Sequence, residues 1–117
     1  MSNHGPLGNT LVYDSRTALF LMELKEAISR HHYMVIEREK NSEFLARHGM
    51  SPKEREEVLL SLRVDDFCSG PEMDAEYPGE VGVWEFMTKC RGIAICIKLR
   101  LLPSGGGLYV KCFSFHE

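Results

Sequence analysis

No stretch of this sequence stays apolar for the roughly 18–20 residues that a membrane-spanning helix needs. The most apolar segment, 18–24, is broken by Glu23 and followed by Lys25 and Glu26. The N-terminus has no basic region ahead of an apolar stretch, so a secretory leader is not indicated. Metal-binding cysteine patterns are absent: Cys68, Cys90, Cys96 and Cys112 show neither a CxxC pair nor a Cys/His spacing typical of zinc. Cys96 and Cys112 fall inside strand patterns, as buried thiols often do, and a reducing cytoplasm is the expected setting. Repeats, heptads and low-complexity tracts are also missing, which argues against solenoids and coiled coils. These absences leave a small globular domain that is expected to need no cofactor, no metal and no membrane.

What is present fits that class. The chain has 117 residues, 44% hydrophobic and 26% charged, enough for one domain with a modest core. Its net charge of −3 hides an asymmetry. Residues 1–80 carry nine basic and fifteen acidic side chains, whereas residues 81–117 carry five basic and two acidic. The C-terminal third is thus the cationic part of an acidic protein, and such an imbalance steers anions locally.

Residues 1–13, rich in Gly and Asn, are expected to be a loose tail before a single domain over 14–117. Asp14 or Ser15 is a suitable cap for a helix reaching about His31, with apolar residues at 18, 21, 22, 24, 27 and 28 forming its stripe. Residues 33–38 alternate as a short strand. Asn41 is expected to cap a two-turn helix that Gly49 ends. Ser51-Pro52-Lys53-Glu54 offers a Ser cap, a first-turn Pro and a capping-box Glu for a third helix reaching about Leu62. Residues 68–79 read as a Gly-, Pro- and acid-rich loop of the length that is often functional. Three strands then follow, joined at 89–92 and 103–107. The order predicts an α+β fold, with helices packed on one face of a small antiparallel sheet.

Alternation assigns the faces of those strands. Trp84 and Phe86 oppose Glu85. Ile95, Ile97, Leu99 and Leu101 oppose Cys96, Lys98 and Arg100. Tyr109, Phe113 and Phe115 oppose Cys112, Ser114 and His116. With the oily sides on one core, Glu85, Lys98, Arg100, Ser114 and His116 project together from an open face. An acid, two fixed cations and a histidine there point to acid–base chemistry on an anion. The same parity puts Lys111 on the oily side, at a margin where its stem can snorkel. The solvated-face reading of these charges stands beside the functional one, with Glu85 simply pairing with Lys98 across strands.

Three stretches carry a resemblance: the helix SPKEREEVLLSL running into VDDFCSGPEMD, the strand VWEF, and the pair IAICIKL and VKCFSFH. Together, over roughly residues 16–117, they resemble the MqsR-like toxins of bacterial type II toxin–antitoxin systems, part of the wider RelE-type ribonuclease fold. The resemblance implies a metal-independent endoribonuclease that cuts mRNA, inhibits translation and is neutralised by a cognate antitoxin protein, with the ribosome a further partner. It puts Glu85 and His116 at family site positions. It also puts Cys96 where the best-known member has a tyrosine, and Ser69 near the place of a lysine.

Cleavage of RNA without a metal needs a base for the 2′-hydroxyl, an acid for the leaving 5′-oxygen and cations for the phosphorane. Glu85 as base, His116 as acid and Lys98 beside Arg100 supply these. Arg100, Lys111, Ser114, Arg63 and Ser69 are the expected RNA contacts. Because Cys96 and Ser69 cannot replace a phenol and an amine, two alternatives stay open: a different acid–base pair, or a non-catalytic RNA- or protein-binding module of the same fold. A purely structural domain is the third reading.

Overall fold

The computed structural model describes the backbone of residues 4–117 and the side chains from Ser15 onward. The loose tail expected over residues 1–13 lies outside the described side chains. Helix α1 spans His4–Ser29, so Asp14 and Ser15 lie within its bounds. Strand β1 (Tyr33–Val35), helices α2 (Glu39–His48) and α3 (Pro52–Leu60) and a 3-10 turn (Val64–Asp66) follow. Strands β2 (Phe67–Glu72), β3 (Val83–Cys90), β4 (Ile93–Ser104) and β5 (Gly107–His116) complete the chain.

The fold is α+β, with a sheet of five strands rather than the four expected, in the order β1-β5-β4-β3-β2. It is mixed: β1 runs parallel to β5, and the other pairs are antiparallel. The helices cover one face. Phe20, Leu24 and Ile28 of α1, Phe44 of α2 and Leu59 of α3 meet Trp84, Phe86, Ile95, Ile97, Leu99 and Phe115 in one buried cluster. Phe20 stacks on Trp84 with ring centroids 4.2 Å apart, a contact that adds to simple area burial.

Local chemistry explains most boundaries. Ser51 Oγ accepts from Glu54 N at 3.1 Å, and Glu54 Oε1 accepts from Ser51 N at 2.9 Å, which closes the capping box of α3. Gly49, at φ +59°, ends α2. The β3–β4 turn (Arg91-Gly92) and the β4–β5 turn (Gly105-Gly106) both place two residues at positive φ, the twist that suits two-residue hairpins.

Two segments depart from expectation. Asn41 does not cap α2. It is buried inside the helix, where its Nδ2 donates to Ile36 O (3.1 Å) and Phe113 O (3.0 Å) and its Oδ1 accepts from Phe115 N (3.0 Å). β1 stops pairing with β5 at Cys112, and the Asn41 amide continues that edge as a surrogate peptide. The second departure is β2, which occupies part of the stretch read as loop. Gly70 sits there at φ +114°, where an added Cβ would lie 2.5 Å from Val83 O. Only glycine allows so close an approach of β2 to β3. The true loop is residues 73–82.

Candidate functional site

The face of the sheet turned away from the helices is set by register. Glu85 lies opposite Lys98, Lys98 opposite Ser114, Arg100 opposite Lys111 and Cys96 opposite His116. Lys98 pairs with Ser114 while the next residue, Leu99, pairs with Cys112, so Phe113 is an extra residue in β5. This bulge reverses parity along the rest of the strand. Cys112 and Val110 therefore join the helix-side core, and Lys111 stands on the same face as Arg100, correcting its placement on the oily side. Phe113 is buried, but against Tyr77 (centroids 4.8 Å apart) and outside the helix-side cluster.

The face is not open. Residues 73–82 fold across it as a strap, and its acids meet the cations one by one. Lys98 Nζ lies 2.8 Å from Asp74 and 3.5 Å from Glu76. Glu80 takes two partners, Arg100 and Lys111, each at 2.6 Å. Glu76 also holds Arg38 at 3.2 Å. Tyr77 pins the strap: its ring covers Phe113, and its hydroxyl bonds Arg38, Phe113 O (3.1 Å) and Ser114 Oγ (2.9 Å). Lys98 retains only 16% of its side-chain exposure and Asp74 only 18%.

Proton affinities follow from this pairing. Hydrogen bonds from Lys98 hold Asp74 below the usual carboxylate range, and those from Lys111 and Arg100 do the same for Glu80. Burial works against ionised Glu76, yet Arg38 and Lys98 outweigh it and keep its pKa low. Burial likewise opposes the Lys98 ammonium, but Asp74 and Glu76 raise its pKa overall. All of these groups are thus charged at neutral pH.

Glu85 is turned toward its own neighbours. It accepts from Ser69 Oγ at 3.4 Å and from Cys96 Sγ at 3.2 Å. Lys98, its register partner, sends its ammonium to the strap. Burial, and then the bond to Glu85, push the Cys96 thiol up to about 12, so at neutral pH it is a hydrogen-bond donor and not a nucleophile. His116 stands two strands across and two residues along from Glu85, about 12 Å at the usual strand spacing and rise, with Cys96 between them. Its Nδ1 lies 2.9 Å from Glu117 O, and its Nε2 is buried without a partner. The ring borders a cavity of about 170 Å³ beside Lys40, Phe44 and Arg47 of α2.

The structure therefore gathers Glu85, Ser69, Lys98, Arg100, Lys111 and Ser114, with His116 at the margin. Ser114 is nearly fully buried beneath Tyr77, so the expected RNA contact at this residue is covered. Arg63 stands apart at the 3-10 turn, exposed and bonded to Asp65 at 3.0 Å. Sequence reasoning missed Arg38, Asp74, Glu76, Tyr77 and Glu80. The available signal was the acid-rich stretch just ahead of the cationic strands. Among the described residues, no three His, Cys, Asp or Glu side chains are gathered as a metal site requires, and no helix is long and apolar enough to cross a membrane. Comparison with family models, curated proteins and solved structures finds no match.

Proposed function

We propose that the protein is the toxin of a bacterial type II toxin–antitoxin system, a metal-independent endoribonuclease that cleaves mRNA in the cytoplasm and inhibits translation. A RelE/MqsR-like identity for the α+β fold, a cognate antitoxin and a ribosomal partner belong to this same proposal. The observation that carries it is the gathering of Lys98, Arg100 and Lys111 beside Glu85 on the sheet face opposite the helices. Three cations within two adjacent strands suit the phosphates of a single strand. Glu85 is the base and His116 the acid. In-line displacement puts base and acid on opposite sides of phosphorus, and a two-strand separation accommodates that arrangement. Lys98 and Arg100 stabilise the phosphorane.

A second reading, a non-catalytic RNA- or protein-binding module, is favoured by one observation: the Cys96 thiol occupies the space between Glu85 and His116, and it is held protonated. Incubation with single-stranded RNA in EDTA separates the two. The toxin reading expects 2′,3′-cyclic phosphate ends, with loss of cleavage in His116→Ala. Full cleavage by that variant would remove His116 from its role. An absence of cleavage, both by the protein and by a variant with Asp74→Asn, Glu76→Gln and Glu80→Gln, would favour the binding module.

A further inference from the structure

We propose that residues 73–80 are a built-in competitor for RNA, a strap whose carboxylates occupy the phosphate positions of the cationic face and must leave before a strand can bind. This rests on reading that face as an RNA surface. Three features distinguish the strap from an ordinary loop. First, its charges match the face beneath it. Glu80 bridges Arg100 and Lys111 as one phosphate would, and Asp74 and Glu76 share Lys98. Secondly, it is shaped from within. Tyr77 N bonds Asp74 O at 3.0 Å, Glu80 N bonds Tyr77 O at 3.1 Å, and Glu76 N bonds Asp74 Oδ1 at 2.9 Å. Two successive turns thereby fix the spacing of the acids without help from the sheet.

Thirdly, apart from Tyr77 its hold on the face is by ion pairs. Tyr77 is the side chain that packs downward, on Phe113, while Met73 and Val81 at either end are exposed (68% and 51%). Gly82, at φ +69° just before β3, joins the strap to the sheet through a backbone conformation that glycine adopts without strain. Ion pairs that keep contact with water hold weakly and yield to salt or to a competing polyanion. β2 and β3 are adjacent antiparallel strands, which need only a short turn to connect. The ten residues 73–82 thus exceed what connection requires.

The test measures binding of a short fluorescein-labelled single-stranded RNA by anisotropy at low salt. It compares the protein with two releasing variants: Tyr77→Ala, which unpins the strap without altering charge, and the triple variant Asp74→Asn/Glu76→Gln/Glu80→Gln. A charge control carries Glu23→Gln, Glu26→Gln and Glu57→Gln, three exposed acids on helices α1 and α3. Amide hydrogen exchange at Glu76, Tyr77 and Glu80 reports strap opening in each protein. Both releasing variants should bind RNA about tenfold or more tightly than the parent, as expected for a site open about a tenth of the time or less. The control should gain markedly less than the triple variant, and RNA should accelerate strap exchange in the parent. Equal affinity of the parent and both releasing variants would overturn the strap while leaving the RNA surface intact. An equal gain in the charge control and the triple variant, with none in Tyr77→Ala, would also overturn it. Open straps with no RNA binding would overturn the RNA reading of the face, and the competitor with it.

Discussion

Asn41 braces the strand edge on which the geometry of the cationic face rests. Its amide holds the edge of β5 where the extra residue Phe113 reverses strand parity, and that reversal places Lys111 beside Arg100. Asn41→Ala removes three hydrogen bonds. Phe113 O keeps the Tyr77 hydroxyl as donor at 3.1 Å, so the buried Phe115 N and the part-buried Ile36 O are left without Asn41. At about 1–3 kcal/mol for each unsatisfied group, the expected loss is about 3 kcal/mol. At roughly 4 °C per kcal/mol for a domain of this size, that is a fall of about 12 °C in Tm. Asn41→Asp sharpens the test. A carboxylate still accepts from Phe115 N, but it faces two carbonyl oxygens where Asn41 donates. Burial and those oxygens raise its folded pKa above the ordinary value near 3.9. A raised folded pKa means stability is lost as pH increases. Asn41→Asp should therefore be least destabilised near pH 3 and progressively worse toward neutrality, relative to the parent at each pH. Differential thermal melting across pH reads both effects. A loss below about 1 kcal/mol for Asn41→Ala, or a penalty for Asn41→Asp that shrinks with rising pH, would refute this role for Asn41.

The strap predicts its own pH dependence. The folded pKa of Glu80 is held down by Lys111 and Arg100, so its contribution is present above the unfolded value near 4.3 and lost as pH falls through the depressed one. The Tm difference between the parent and Glu80→Gln should be a few °C at most, since partly exposed pairs contribute little. It should persist at pH 5–8 and be lost only as pH falls below the ordinary carboxylate range; a difference that disappears near pH 6 would contradict the ion-pair account. Gly70→Ala should cost about 1–3 kcal/mol and loosen β2 from β3, because a Cβ would meet Val83 O at 2.5 Å and φ is +114°. Urea unfolding checks the cost, and an unchanged midpoint would mean that β2 lies elsewhere.

Features written in local chemistry were legible. The Ser51–Glu54 box, the Gly49 stop and the two glycine-bearing hairpin turns each depend on residues within one turn of one another. The strand alternation of β3 and β4 was legible too, because a single buried face imposes a period of two. It failed in β5, where one unpaired residue, Phe113, shifts the period and misplaces Cys112, Lys111 and Phe113. β2 was hidden by Gly70-Pro71, which read as breakers although an edge strand tolerates both. The mixed sheet escaped notice because β1 is only three residues long and its parallel partner lies far along the chain. Lys98, Arg100 and Glu85 were found from face parity. The acids that cover them were not, because a contact such as Lys98 with Asp74 arises from loop folding and leaves no periodic trace.

The central claim is that the Lys98–Arg100 face cuts RNA. The most direct measurement is cleavage of single-stranded RNA in EDTA by the strap-neutralised protein (Asp74→Asn/Glu76→Gln/Glu80→Gln), with and without the added changes Lys98→Ala and Arg100→Ala. The account predicts fragments ending in 2′,3′-cyclic phosphate, made at least about a hundredfold more slowly once both cations are removed. No scission, or scission at the same rate without Lys98 and Arg100, would contradict it.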